Sequence, residues 1–127
     1  MDNINISIKG RNIELTNAVE KYARKKVSTL EKHIKMKEDT TVFAQVELGK
    51  EVRDQMTGDI FVASIDLDVA GEVYHVEVEQ NDLYAAIDEM KSEVTRVVRS
   101  SQNKKKDLFR RGSLKIKEMF RGMSGRK

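Results

Sequence analysis

Two carboxylates stand two residues apart in the middle of this sequence, an arrangement that can serve general acid and base catalysis. Asp66 and Asp68 fall within the stretch FVASIDLDV, residues 61–69, where apolar and polar residues alternate. Alternation of this kind is typical of a β-strand with one exposed face. We therefore interpret the pair as part of a solvated polar surface and not as a catalytic dyad.

The remaining residue types argue against other catalytic chemistry. The chain has no cysteine, and its two histidines, His33 and His75, do not stand at a metal-ligand spacing. No serine lies in a Gly-x-Ser-x-Gly frame, and no glycine-rich phosphate loop occurs. We predict that the protein is not an enzyme and uses no cofactor or metal.

The basic residues offer a different chemistry, because they are concentrated at one end of the chain. Residues 104–127 hold ten Lys/Arg and two acids, a net charge of +8, while residues 1–103 hold 14 Lys/Arg and 19 acids, a net charge of −5. A basic segment of this kind is suited to bind a polyanion. We predict a domain over 1–103 and a flexible basic extension over 104–127, in which the candidate RNA-binding residues are Lys104, Lys105, Lys106, Arg110 and Arg111.

Further basic residues share the outward face of two predicted helices. A helix over about 17–34 has an apolar stripe, and the bases opposite that stripe are Lys21, Arg24, Lys25 and Lys32. A second helix, starting at Asn81 or Asp82, places Arg96 and Arg99 opposite its own apolar stripe. Bases near a helix C-terminus also suit the helix dipole, which is the alternative explanation for this second pair.

These helices alternate with four predicted strands. Apolar residues recur at every second position near 3–9, 41–48, 61–69 and 72–79, and a polar connection spans 49–58. The order β-α-β-β-β-α predicts an α+β two-layer sandwich with both helices on one face of a four-stranded sheet. The opposite face carries Glu47, Asp66, Asp68, His75, Glu77 and Glu79.

That acidic face should repel phosphates, and Phe43 alone does not form a platform on which bases stack. RNA binding is therefore expected on the helix side, through phosphates and RNA shape. The sequence has no apolar run of about 20 residues that could span a membrane and no signal-peptide segment at its start. We predict a soluble cytoplasmic protein with no membrane partner.

Two segments resemble the ribosome hibernation-promoting factor family, which also includes the ribosome-associated inhibitor proteins. The segment DLYAAID, residues 82–88, is the more specific mark. The second mark is the entry to the first helix, formed by Gly10, Asn12 and Thr16. The resemblance covers residues 1 to about 106 and implies a fold similar to double-stranded RNA-binding domains.

The resemblance implies a partner and a mechanism. Members of this family bind the small ribosomal subunit and its ribosomal RNA in the decoding region, where they compete with messenger RNA and transfer RNA. They silence idle ribosomes under stress, and they use basic residues of both helices against ribosomal RNA. By position these are Lys21, Arg24, Lys25, Lys32, Arg96, Arg99 and 104–106.

The chain departs from the family pattern in three places. Glu93 stands where many members have lysine, the connection after the second strand is longer than in compact members, and no dedicated dimerisation domain is expected after Asn103. Two alternatives stay open. The protein could be a general binder of double-stranded RNA, or residues 113–121 could form a basic amphipathic helix for a membrane surface or a protein groove.

Overall fold

In the computed structural model the chain forms a four-stranded sheet with two helices packed on one face. The structure describes residues 4–36, 39–52 and 58–123 and, of these, all side chains except those of Val52 and 109–123. The elements are β1 (Ile4–Arg11), α1 (Asn17–Ser28), a 3-10 helix (Thr29–Lys32), β2 (Val42–Val52), β3 (Asp59–Val69), β4 (Glu72–Gln80) and α2 (Leu83–Met123). The predicted α+β two-layer sandwich is confirmed.

The sheet is mixed, with the strand order β1-β2-β3-β4. β1 pairs with β2 in parallel, so a crossover must separate them in the chain, and α1 supplies it. β2 with β3 and β3 with β4 are antiparallel neighbours. The strands therefore follow the order of the sequence across the sheet, and α2 closes the layer over β3 and β4.

The alternating strand residues that point toward the helices form one buried cluster with the stripes of both helices. In the sheet, Ile65 and Leu67 are fully buried, and they belong to the same cluster as Ile87 and Met90 from α2. The apolar periods of two in the strands and 3.6 in the helices are what allow this burial. The core fixes which sides of the helices remain exposed to solvent.

Two element boundaries differ from the sequence prediction by more than two residues. α1 ends at Ser28 instead of 34, because the hydroxyls of Ser28 and Thr29 donate to the carbonyls of Lys25 and Lys26 and the chain tightens into the 3-10 helix. β2 continues to Val52, so the connection that was predicted over 49–58 is shorter, and 53–57 lie outside the described residues.

α2 continues to Met123, through most of the segment 104–127 that was predicted as a flexible basic extension after the domain. The prediction rested on the change in charge, but lysine and arginine are good helix formers and the chain contains no proline to stop the helix. The functional boundary between the domain and its extension, and the flexibility of 104–127, stay predictions. No helix within the described ranges is both long enough and apolar enough to cross a bilayer.

Candidate nucleic-acid interface

α1 and α2 lie side by side and run in the same direction. The hydroxyl of Tyr22 donates to Asp88 across 2.6 Å, and further along, the Gln102 side chain exchanges hydrogen bonds with the backbone of Lys35 at 2.8 and 3.1 Å. Between the two contacts the chain advances 13 residues from Tyr22 to Lys35 and 14 residues from Asp88 to Gln102. α1 and the segment that follows it therefore run alongside α2 on the same side of the sheet.

Three bases of α1 are exposed to solvent: Lys21, Arg24 and Lys25. Arg24 is held in place, because its guanidinium pairs with Glu20 at 3.2 Å and donates to the carbonyl of Ile6 in β1 at 3.1 Å. In the part of the chain that the structure describes, the side chains of Lys21 and Lys25 form no ion pair. These two lysines therefore have their full charge available for a phosphate.

Lys32 does not belong to the same stripe. It is exposed, but it lies in the 3-10 helix after α1 ends, so the angular spacing of an α-helix does not place it above Lys25. The side chain stays a candidate by charge alone. The prediction that four bases share one stripe of a continuous helix was wrong for this residue.

α2 carries its bases on the exposed side of its second half, but they are not equally available. Arg96 pairs with Glu93 at 2.9 Å, and this hydrogen bond raises the pKa of the guanidinium. Lys105 forms an ion pair with Glu72 at the start of β4. Arg99, Lys104 and Lys106 are exposed and form no ion pair with another described residue. Arg110 and Arg111 lie on the helical backbone, and their side chains fall outside the described ones.

A shallow depression on the exposed side of α2 adds polar groups to the bases, and the sequence analysis missed the hydroxyl groups among them. Arg96, Arg99 and Lys104 line it together with Ser92, Thr95, Ser100, Asn103 and Asp107. Hydroxyl and amide groups donate to phosphate oxygens, so they complement the bases. The signal was available in the sequence, because these residues recur at helical spacing between the arginines.

The bases of the two helices are staggered along the layer. The Tyr22–Asp88 hydrogen bond places Lys21 of α1 beside Ile87 of α2. Lys104 lies 17 residues after Ile87 along α2. At 1.5 Å per residue, the basic surface is about 25 Å long. An interface of this length can follow several successive phosphates of an RNA backbone.

The open face of the sheet has the opposite charge. Its ionisable side chains are mostly acids, with Lys9 and Arg11 as the described bases among Glu47, Glu51, Asp66, Asp68, Glu77 and Glu79. Asp66 contacts the Nδ1 of His75 at 2.6 Å, and Asp68 accepts from the amide of Gly71 at 2.8 Å in the β3–β4 turn. Both carboxylates therefore have structural partners, and no group of three or more potential metal ligands occurs among the described residues.

The motif at the entry to α1 shapes the backbone. Asn12 adopts a positive φ of 62°, which asparagine tolerates better than most residues. A Cβ at Gly10 would lie 3.0 Å from the carbonyl oxygen of Ile13, so a side chain there would crowd the turn. Thr16 caps α1 by accepting from the amide of Val19 at 3.2 Å. These three residues fix where α1, with its bases, begins.

The DLYAAID segment fixes α2 against α1. Asp82 caps α2 by accepting from the amide of Ala85 at 2.9 Å, and Ala86 and Ile87 are fully buried. Tyr84 packs edge-to-face on Tyr22 with ring centroids 4.9 Å apart. Asp88 accepts from Tyr22 and also pairs with Lys26 at 3.4 Å. The segment therefore aligns the two helices and does not itself supply a base.

An acidic open face on the sheet and a basic exposed side on the helical layer are a charge arrangement typical of polyanion-binding domains. The sequence model of the family described as sigma 54 modulation protein / S30EA ribosomal protein matches residues 6–106. The chain therefore belongs to that family, and the resemblance derived from the sequence is confirmed.

Known proteins resemble the chain in sequence and in fold. A curated relative, ribosome hibernation promoting factor of Acidithiobacillus ferridurans, is 30% identical over 83 residues, which cover 65% of this chain and 97% of the relative. The N-terminal domain of Protein Y from Thermus thermophilus is 33% identical, with a TM-score of 0.61 over 77% of this chain and 96% of that one. A ribosomal subunit interface protein from Coxiella burnetii shares the fold at 11% identity, with a TM-score of 0.61 over 78% of this chain and 98% of that one.

Proposed function

We propose that this protein is a ribosome hibernation factor that binds the small ribosomal subunit in the decoding region and silences idle ribosomes under stress. Membership of the family and the names of its relatives support the ribosome as partner. In this proposal residues 1–103 form the ribosome-binding domain, 104–127 form a basic extension, and the protein acts in the cytoplasm.

The observation that carries the proposal is the separation of charge across the domain. Lys21, Lys25 and Arg99 lie on the helix side, whereas Asp66 and Glu77 lie on the open face of the sheet. Because RNA phosphates are attracted to one side and repelled by the other, the charge orients the domain with its helices toward ribosomal RNA. This orientation fits a binding site that is lined by RNA on one side.

Inhibition by such a domain requires no covalent chemistry. The two aligned helices and their bases form a surface for a phosphate backbone, and the described residues provide no metal-ligand group. A domain bound in the channel of messenger RNA and transfer RNA excludes both ligands sterically. The inhibition of translation should therefore follow occupancy, and excess initiator transfer RNA with messenger RNA should displace the protein.

The test is co-sedimentation of the full-length protein with separated small and large subunits over a series of salt concentrations. We expect binding to the small subunit and a steep loss of affinity with salt, since each neutralised phosphate releases counterions. Preference for the large subunit, or binding that salt does not weaken, would contradict the proposal. Equal affinity for any double-stranded RNA would favour a general RNA-binding module instead.

A further inference from the structure

The side of α2 that faces the sheet changes from buried apolar residues to polar residues where the sheet ends. Val94 and Val98 are fully buried in the core. In the following turns the same side makes polar contacts: the Ser101 hydroxyl lies 3.2 Å from that of Tyr74, Gln102 bonds to the backbone of Lys35, and Lys105 pairs with Glu72. These contacts form a polar rim that marks the end of the domain core.

Apolar residues return on the same side of the helix after this rim. At about 100° per residue, six apolar positions fall within a sector of about 120° that is aligned with the buried side of α2. They are Leu108, Phe109, Ile116, Met119, Phe120 and Met123. The described side chain among them, Leu108, is 63% exposed. The core stripe of α2 therefore continues beyond the sheet that covers it.

Basic residues border this apolar sector on both sides of the helix. Residues 104–123 contain eight Lys/Arg and two acids, a net charge of +6. By helical spacing, Lys106 and Lys117 follow one border and Lys104, Arg111 and Lys115 follow the other, while Arg110 and Arg121 lie further round the helix. An apolar sector between two basic borders is the pattern of helices that lie in the plane of an anionic membrane interface.

We propose that the part of α2 after Lys105 is an interfacial helix that binds an anionic lipid surface. This proposal goes beyond ribosome binding and replaces the sequence-based prediction of no membrane partner. The apolar sector would insert among the acyl chains near the headgroups, and the basic borders would contact lipid phosphates. RNA would engage only the bases and leave the apolar sector in water. A second copy is disfavoured because each helix carries the same net charge of +6.

The extension is long enough to be a stable helix because it continues α2. Nine residues, 113–121, form a helix that is too short to be stable on its own in water. In the structure the same residues continue a helix that starts at Leu83 inside the folded domain. The unfavourable formation of a first helical turn is therefore not required within the extension. The 18 residues after Lys105 are about 27 Å long, which is five turns.

The experiment is sedimentation of the full-length protein with vesicles of phosphatidylcholine alone and of phosphatidylcholine mixed with phosphatidylglycerol. We expect binding to the anionic vesicles at least about tenfold stronger than to the neutral ones. Replacing Phe109 and Phe120 together by serine should weaken vesicle binding at least about tenfold, because two apolar side chains no longer leave water. The helical content, measured by circular dichroism, should be the same in this variant and in the original protein.

The chain offers a matched control for this variant. Leu114 lies on the same helical segment, but by helical spacing it is opposite the centre of the apolar sector. Leu114→Ser should therefore leave vesicle binding within about twofold of the original value. Both serine variants should bind the small subunit as the original protein does, so failure of the lipid proposal is distinguishable from failure of the ribosome proposal.

Three results would overturn the lipid proposal. The first is no binding to anionic vesicles, and the second is an equal loss of binding for Leu114→Ser and the Phe109/Phe120 variant. The third is a concentration-dependent dimer in analytical ultracentrifugation that the Phe109/Phe120 variant abolishes while vesicle binding is weak. That third result would assign the apolar sector to a second copy of the chain.

Discussion

The hydroxyl of Tyr22 in α1 donates a 2.6 Å hydrogen bond to the carboxylate of Asp88 in α2. The same tyrosine ring packs on Tyr84 and lies 5.5 Å from the Lys26 ammonium group, which itself pairs with Asp88. The contact thus joins two helices that carry separate sets of bases. The hydrogen bond therefore holds α1 against α2, and we expect it to influence the relative position of the two sets of bases.

Removing this hydrogen bond should lower stability and weaken RNA binding without removing a charge. Tyr22→Phe should reduce the free energy of unfolding by about 1 kcal/mol, the usual net contribution of one hydrogen bond. Urea unfolding measures the loss, and small-subunit sedimentation measures the effect on binding. Tyr84→Phe is the matched control, since it keeps a ring at the same contact; an equal loss in both variants would contradict a special role for the Tyr22 hydroxyl.

The hydrogen bond between Tyr22 and Asp88 should also raise the pH at which the Tyr22 phenol loses its proton. The hydrogen bond to Asp88, followed by burial and the charge of Asp88, raises the pKa of Tyr22 from 10.0 to about 12. Because the folded state holds this proton more tightly than the unfolded state, the stabilisation is complete below about pH 10 and is lost as the pH rises toward 12. Ultraviolet titration should show a late tyrosine step that Tyr22→Phe removes and Tyr84→Phe retains.

Glu93 is expected to limit the affinity for RNA. It pairs with Arg96 at 2.9 Å on the exposed side of α2, so it neutralises one base and repels nearby phosphates. Glu93→Gln should therefore strengthen binding to the small subunit by a few fold, measured at fixed salt. Glu77→Gln removes the same charge from the open face of the sheet and should leave the affinity unchanged. Weaker binding by Glu93→Gln would show that the pair holds Arg96 in its binding position.

Much of the fold could be predicted because periodicity reports directly on burial. The apolar stripes of both helices and the alternation in the strands identify the faces that form the core, and Ile65, Leu67 and Ile87 are buried as that pattern requires. The cap at Thr16 was predictable for the same local reason, since its hydroxyl satisfies an amide at the helix start.

The rest depends on contacts between distant residues, which a single sequence does not reveal. Nothing local indicates that Asp88 accepts from Tyr22, 66 residues away, or that Lys105 pairs with Glu72. The exposure of Arg96 followed from the helical spacing, but its partner Glu93 was identified only as a departure from the family pattern. The contact of these bases with ribosomal RNA stays a prediction.

The orientation of the domain leads to a charge-reversal prediction. Lys25→Glu with Arg99→Glu should reduce small-subunit binding by at least about tenfold, because each change replaces an attraction to phosphate by a repulsion. Asp66→Lys with Asp68→Asn changes the open face and should not weaken binding. Both pairs are on the surface, so circular dichroism and thermal unfolding should confirm that each variant is folded. Similar effects of the two pairs would contradict binding through the helix side.

The extension should contribute affinity through its charge. Deleting 107–127 removes seven Lys/Arg but leaves the polar rim up to Lys105 intact, so the domain should fold and find the same site. The truncated protein should bind more weakly and show a shallower dependence on salt, since each phosphate contact adds about 0.9 to that slope for duplex nucleic acid. The binding constant of both proteins at several salt concentrations gives the two slopes.

A second variant separates the charge of the extension from its length. Full-length protein with Arg110, Arg111, Lys115 and Lys117 changed to glutamine keeps the helical segment but loses four charges. If the extension follows ribosomal RNA, its salt slope should fall between those of the original and the truncated proteins, because a tethered basic arm adds contacts in proportion to its charge. The Phe109/Phe120 serine variant should keep the original slope. Equal salt slopes for the original, truncated, glutamine and serine proteins would show that the extension does not contact RNA. Its bases would then be expected to bind a different anionic partner.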